Sequence, residues 1–81
     1  MNLIAKAANP VPGQEVIKLL CKAGFTVESQ KGSHVKLKKR LADHIIVTIV
    51  PLHRAIDIGT LLNIVKQAEL TRQELFELMK K

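Results

Sequence analysis

One histidine of this sequence stands among cations in an alternating segment. Residues 33–40 predict a strand in which the apolar Val35 and Leu37 share one face. The opposite face carries a histidine and three cations: His34, Lys36, Lys38 and Arg40. Imidazole is the side chain best suited to proton transfer near neutral pH. The neighbouring cations would hold a phosphate backbone, and His34 is the candidate general base beside it. It would take the proton of an RNA 2′-hydroxyl, whose oxygen then attacks the adjacent phosphorus.

The densest charge cluster of the chain surrounds this strand and consists of Lys31, Lys36, Lys38, Lys39 and Arg40. One interpretation is a solvated strand edge that resists aggregation. The other is a track for phosphates, whose affinity falls steeply with salt. Three of the five cations share the predicted face of His34, which favours the phosphate track. The candidate RNA-binding residues are therefore Lys31, Ser33, Lys36, Lys38, Arg40 and His53.

The other two histidines raise the alternative of a metal site. The three histidines lack close ligand spacing, and the carboxylates near them are few, namely Asp43 and Asp57. We therefore expect no metal and no cofactor. His44 begins a strand beside a turn and is interpreted as a solvent-exposed residue without a role in the site. His53 lies in a loop, where a phosphate contact, a general-acid role and a bracing role all stay open.

Composition narrows the class of protein. The 81 residues carry a formal net charge of +6 and a pI near 9.8, a balance that attracts polyanions or an acidic partner. There is no Trp, no Tyr and only two Phe, so the chain lacks the aromatic platform on which single-stranded bases stack. The longest strongly apolar run, residues 45–50, is far too short to span a membrane. A single cysteine, Cys21, fits a reducing cytoplasm and is predicted to be buried.

Periodicity predicts a helix and then three strands. After Gln14 the apolar positions recur at helical spacing until Gly24, and they are Val16, Leu19, Leu20 and Ala23. Residues 25–30 then alternate, with Phe25, Val27 and Ser29 assigned to one side. Lys31-Gly32 predicts a turn into the strand of His34. In the third strand, residues 44–50, we assign Ile45, Val47 and Ile49 to the core and Ile46, Thr48 and Val50 to the outer face.

Two helices follow the strands. Asp57 or Thr60 is expected to cap the first, in which Leu61, Ile64, Val65 and Ala68 recur at helical spacing. Thr71 and Glu74 form a capping box for the second, whose inward residues are Leu75, Leu78 and Met79. The expected fold is α+β, in the order α-β-β-β-α, with a three-stranded antiparallel sheet, two helices on one face and a short C-terminal helix. Residues 1–9 are expected to be a loose N-terminal extension, and residues 10–81 a single domain.

Three short segments, in this order and spacing, resemble the signature of HicA-type toxins: Gly32-Ser33-His34, Pro51-Leu52-His53 and Gly59-Thr60-Leu61. The resemblance extends over residues 10–78. It implies a fold like that of double-stranded-RNA-binding domains and a metal-independent endoribonuclease that cleaves mRNA with His34 as its essential histidine. It also implies a HicB-type antitoxin partner that covers the active face, a contact to which we assign the outer residues Ile46, Thr48 and Val50.

The sequence departs from the family at two places. Residues 1–9 extend beyond the usual family start, and Glu69 stands where a glycine commonly precedes the last helix.

Two alternative functions stay open. A non-catalytic double-stranded-RNA-binding module is the first alternative. Such modules place lysines at the start of the last main helix, and residues 59–62 contain none. The second alternative is a protein-interaction subunit whose charge only complements an acidic partner.

Overall fold

The computed structural model describes residues 11–79, and of Met79 only the backbone. The elements are α1 (Gly13–Lys22), β1 (Thr26–Lys31), β2 (His34–Arg40), β3 (Ile45–Pro51), α2 (Ile58–Gln67) and α3 (Arg72–Met79). The strands form one antiparallel sheet in the order β1-β2-β3. The predicted α-β-β-β-α order with a short C-terminal helix is therefore confirmed. The loose extension predicted for residues 1–9 lies outside the described residues.

The helices cover one face of the sheet, which we call the helix face, and the core lies between them. The predicted helix stripes are confirmed: Val16, Leu19 and Leu20 of α1 and Leu61, Ile64 and Val65 of α2 are buried. They pack with Val35 and Leu37 of β2 and with Leu75 of α3. Cys21, however, is exposed, so the prediction that it is buried was wrong. It follows Leu20 by one residue and is turned about 100° away from the buried stripe.

The face assignment of β3 was also wrong. Ile46, Thr48 and Val50 are 4%, 1% and 0% exposed, whereas Ile45, Val47 and Ile49 are 48%, 41% and 48% exposed. The cause is the pairing register, in which Val35 of β2 lies opposite Val50 and Leu37 lies opposite Thr48. Paired residues share a face, so Thr48 is drawn to the helix face with Leu37. There the Thr48 hydroxyl donates a hydrogen bond to Oε1 of Gln67 (3.1 Å).

A bulge interrupts the alternation predicted for β1. Val27 pairs with Leu37, and the next pair joins Ser29 to Lys36, so Glu28 is an extra residue without a partner in the ladder. Ser29 consequently faces away from the helices, and its predicted grouping with Phe25 and Val27 was wrong. Phe25 itself is buried, as expected for a residue on the helix face.

Side-chain caps define the ends of the later helices. The carboxylate of Asp57 accepts a hydrogen bond from the Thr60 N–H (2.7 Å), so Asp57, of the two candidates, caps α2. This hydrogen bond holds the pKa of Asp57 below its ordinary value. Thr71 and Glu74 form the predicted capping box through reciprocal bonds of 2.9 and 3.0 Å. Gly24 ends α1 with a φ of 99°, a left-handed conformation that glycine adopts without strain.

Candidate functional site

His34 is the first residue of β2, and its side chain is exposed on the side of the sheet away from the helices. We call this side the open face; it is formed by His34, Lys36, Lys38 and Arg40 of β2 and by Ile45, Val47 and Ile49 of β3. The predicted exposure of His34 is confirmed. His34 pairs with Lys31 of β1 and with Pro51 of β3, so it lies on the central strand between a cation and a loop.

Backbone and amide contacts hold the turn before His34. Gly32 has a φ of 60°, and its carbonyl accepts a hydrogen bond from Nε2 of Gln30 (3.0 Å). The Leu52 N–H donates to the Ser33 carbonyl (2.6 Å), which continues the β2–β3 pairing past Pro51. These contacts tie the backbone that carries His34 to both neighbouring segments of the sheet.

The same contacts bring the segments 32–34 and 51–53 side by side. His53 is exposed, and its carbonyl accepts a hydrogen bond from the Gly13 N–H (2.9 Å) at the start of α1. Its backbone therefore braces the loop, one of the three roles that the sequence left open. In the chain, His53 directly follows Leu52, whose N–H donates to the Ser33 carbonyl next to His34.

The charge cluster of residues 31–40 is divided between the two faces of the sheet. Lys36 and Lys38 lie on the open face, opposite Ile49 and Val47 of β3. Lys39 is on the helix face, where its ammonium is 5.8 Å from the centre of the Phe25 ring. Arg40 is exposed on the open face, but it is six residues from His34, which is roughly 20 Å along a strand. Lys31, Lys36 and Lys38 are therefore the cations nearest to His34 in the sheet.

A carboxylate that sequence reasoning missed also lies on the open face. Glu28 forms ion pairs with Lys36 (3.5 Å) and with Lys38. The hydrogen bond from Lys38, helped by Lys36, holds the pKa of Glu28 below its ordinary value. The sequence shows the three charges, but the bulge that directs Glu28 to this pair leaves no pattern in the residue types.

An aliphatic row lies beside the cations. Ile45, Val47 and Ile49 are exposed and pair with Arg40, Lys38 and Lys36 in turn. The antitoxin contact that the sequence assigned to Ile46, Thr48 and Val50 is thus corrected, because those three side chains are buried in the core. The open face presents one cationic strand and one aliphatic strand next to each other.

His44 lies apart from the site at the β2–β3 turn. Its Nδ1 is 2.7 Å from Oδ1 of Asp43, and its Nε2 is 2.9 Å from Oε1 of Glu69. The two carboxylates, Glu69 first, raise the pKa of His44. His44 is exposed, as expected, but it connects the turn to the corner before α3. Among residues 11–79 no group of three or more His, Cys, Asp or Glu side chains could hold a metal ion.

The fold and the open face define a small α+β protein with an exposed histidine on a cationic sheet surface. A family model described as the HicA toxin of bacterial toxin–antitoxin systems matches residues 13–70, more than half of the chain. The chain belongs to this toxin family, whose members act beside an antitoxin. A comparison with curated proteins gave no match. Within residues 11–79 no helix is long and apolar enough to cross a membrane.

Proposed function

We propose that this toxin is a metal-independent endoribonuclease that cleaves mRNA with His34 as the catalytic base, and that a HicB-type antitoxin neutralises it. The observation that carries the proposal is the position of His34. It is an exposed imidazole on the central strand of the sheet, beside Lys31, Lys36 and Lys38, in a member of a toxin family. Among the described residues no side chain hydrogen-bonds this imidazole, which leaves both ring nitrogens open to a substrate.

The chemistry requires a base and a cationic surface, because the nucleophile belongs to the RNA itself. A ring nitrogen of His34 takes the proton of a 2′-hydroxyl, and the 2′-oxygen forms a bond to the adjacent phosphorus. The bond from phosphorus to the 5′-oxygen breaks, which leaves a 2′,3′-cyclic phosphate and a 5′-hydroxyl. The 5′-oxygen takes a proton either from solvent or from His53, the candidate general acid.

The lysines have two tasks in this proposal. Lys31, Lys36 and Lys38 hold the phosphates on either side of the cleaved bond, which fixes the chain against His34. They also stabilise the negative charge that builds up on the phosphoryl oxygens as the fifth bond forms. Ser33 lies in the turn beside His34 and is exposed, so its hydroxyl is a further candidate donor to a phosphate.

The test is cleavage of a defined mRNA by the purified chain in EDTA, beside His34→Ala at the same concentration. The parent should cleave and leave 2′,3′-cyclic phosphate ends, and the variant should lose at least about a hundredfold in rate, the size of a general-base contribution. The melting temperature of His34→Ala should stay within about 4 °C of the parent's, because exposed substitutions cost under about 0.5 kcal/mol.

Two outcomes would contradict this proposal. Equal cleavage by both proteins would remove His34 from the reaction. Binding of RNA by both proteins without cleavage by either would favour the binding-module alternative. His53→Ala, assayed in the same series, separates a general-acid role from a bracing role. Loss of the alkaline limb of the pH–rate profile would indicate a general acid and would not follow from bracing, since the backbone carbonyl makes that contact.

A further inference from the structure

The ion pairs of Glu28 place a negative charge inside the cationic surface that is proposed to hold RNA. One carboxylate oxygen faces the ammonium of Lys36 at 3.5 Å, and the other contacts the ammonium of Lys38. The same two ammonium groups are the nearest open-face cations on the strand of His34. The carboxylate therefore occupies the space in which an anionic oxygen of a ligand would meet both lysines.

The backbone of β1 directs Glu28 to this place. The register moves from the Val27–Leu37 pair to the Ser29–Lys36 pair, so Glu28 is the bulged residue. Bulges re-aim a side chain and are frequent beside functional sites. Glu28 and the next residue, Ser29, are both brought toward the open face, which a regular strand does not allow for consecutive residues. The carboxylate is thus positioned by the fold as well as attracted by charge.

A carboxylate and a phosphodiester compete for the two ammonium groups of Lys36 and Lys38. Both are anionic acceptors of the three N–H donors of an ammonium group. Lysine binds them as a point charge on a flexible stem, so it can exchange one partner for the other without a change in the backbone. A partly exposed ion pair of this kind is weak, which means that a phosphate can displace the carboxylate at a modest cost.

We propose that Glu28 is an internal competitor for the phosphate site of the open face: its carboxylate holds Lys36 and Lys38 in the free protein and must leave them before an RNA phosphodiester binds there. This inference rests on the proposed ribonuclease function. Glu28 lowers the affinity for RNA and takes no part in the proton transfer at His34. It therefore limits the retention of RNA chains that present only one or two phosphates, the cleaved ends included.

The experiment measures RNA binding in the His34→Ala chain, so that the probe is not cut. A fluorescein-labelled single-stranded RNA is titrated in a series of NaCl concentrations, and binding is followed by fluorescence anisotropy. Glu28→Gln should bind about threefold to tenfold more tightly at low salt, because it removes the two ion pairs with Lys36 and Lys38 and the repulsion between the carboxylate and RNA. The slope of log K against log salt should steepen by about 0.7, the value of one added phosphate contact on a single strand.

A matched control separates the local effect from the change in net charge. Glu77→Gln on α3 makes the same change of +1 on the helix side of the molecule. At about 0.1 M NaCl it should tighten binding much less than Glu28→Gln does, because charges more than about 10 Å apart are then largely screened. In the cleaving protein, Glu28→Gln should lower KM and leave kcat nearly unchanged. Glu28→Ala, checked with Glu28→Gln by thermal melting, guards against an artefact of one substitution.

The inference and the proposed function fail in different ways. An affinity equal to the parent's, or a gain no larger than that of Glu77→Gln, would overturn the competitor role while the ribonuclease stands. Weaker binding by Glu28→Gln would also overturn it, because Glu28 would then be holding the lysines in place for RNA. No RNA binding by any of the proteins would overturn the proposed function, and the inference with it.

Discussion

Lys36 and Lys39 lie three residues apart on β2 and face opposite sides of the sheet. Lys36 is on the open face in the ion pair with Glu28. Lys39 packs on the helix face, where its stem lies over Gly24 and its ammonium over Phe25. The two residues have the same charge and the same propensities, so their roles differ only through the face that each one occupies.

Alanine substitution of these two lysines should affect different quantities: RNA affinity for Lys36 and stability for Lys39. Lys36→Ala should weaken RNA binding and reduce its salt dependence by about 0.7, with little change in melting temperature. Lys39→Ala should lower stability by about 0.5–1 kcal/mol, through loss of the contact with Phe25, and leave RNA binding nearly unchanged. RNA anisotropy and thermal melting of both variants check this, and equal losses of RNA affinity would show that only overall charge matters.

Two corners of the fold connect elements through residues that periodicity does not reveal. At the first corner Glu69 has a φ of 56°, a conformation that costs a residue with a side chain about 1 kcal/mol. The resemblance to the family leads us to expect a glycine there. In this chain the Glu69 carboxylate accepts a hydrogen bond from His44, which ties the β2–β3 turn to the start of α3. The departure from the family is therefore coupled to a second residue on another element.

The stability from His44 should depend on pH. Because its pKa is raised in the folded chain, its contribution is fully present below the ordinary value of 6.5 and is lost as the pH rises through the raised value. The wild-type chain should therefore lose more stability between about pH 6 and pH 9 than His44→Gln does. Urea unfolding of both proteins at the two pH values measures this. Identical pH dependence would mean that the contacts with Asp43 and Glu69 add nothing to stability.

The second corner is the start of α1. A Cβ on Gly13 would overlap the carbonyl oxygen of Pro51, and the Gly13 N–H donates to His53. The absence of a side chain at Gly13 thus lets α1 approach the loop that lies against the turn of His34. On Gly59, in the first turn of α2, a Cβ would meet only Oδ1 of Asp57 at 3.5 Å, an ordinary contact.

Alanine at the two glycines should have opposite effects. Gly13→Ala should destabilise the chain by about 1–3 kcal/mol, because the overlap with Pro51 forces the backbone to shift. It should also slow RNA cleavage, since the shifted loop carries the Leu52–Ser33 contact. Gly59→Ala should be neutral or stabilising by up to about 1 kcal/mol, the usual gain of alanine in a helix. Urea unfolding and cleavage assays compare them; an undisturbed Gly13→Ala would contradict the tight approach.

The whole molecule has one covered and one uncovered sheet surface. The uncovered one combines the cations of β2 with the exposed aliphatic side chains of β3, and the chain as a whole carries a charge of +6. Such a surface fits a partner that presents acidic and aliphatic side chains together. For a member of a toxin–antitoxin family, we propose that this partner is the HicB-type antitoxin and that its binding would block RNA from His34.

Polar substitution in the aliphatic row should weaken the antitoxin complex. Val47→Asn should raise the Kd for a HicB-type antitoxin about tenfold or more, the effect of losing one buried aliphatic side chain from an interface. Leu62→Asn is the matched control, because Leu62 is exposed on α2. Calorimetric titration in the His34→Ala chain measures both. Equal Kd values for the two variants would place the antitoxin elsewhere on the toxin.

Helix positions and the face of β2 could be predicted from the sequence, because apolar and charged residues occupy clearly different sides of each of these elements. Apolar residues at helical spacing identify the buried sides of α1 and α2, and Val35 and Leu37 alternate with charges, which gives one consistent face. The capping box of α3 was predicted for the same reason, because an N-cap is a local interaction between residues three apart, and the cap of α2 was narrowed to Asp57 or Thr60. His34 was therefore found as an exposed candidate without any tertiary information.

Only the tertiary structure decided the face of β3, the place of Glu28 and the contact of His44 with Glu69. Both faces of residues 45–50 are almost entirely apolar, so alternation alone does not choose between them. The pairing of Leu37 with Thr48 makes that choice. A bulge is a property of two paired strands, and the His44–Glu69 contact joins residues 25 apart in the chain. Local patterns determine what one element buries by itself, whereas register and corner contacts depend on a second element that no local pattern contains.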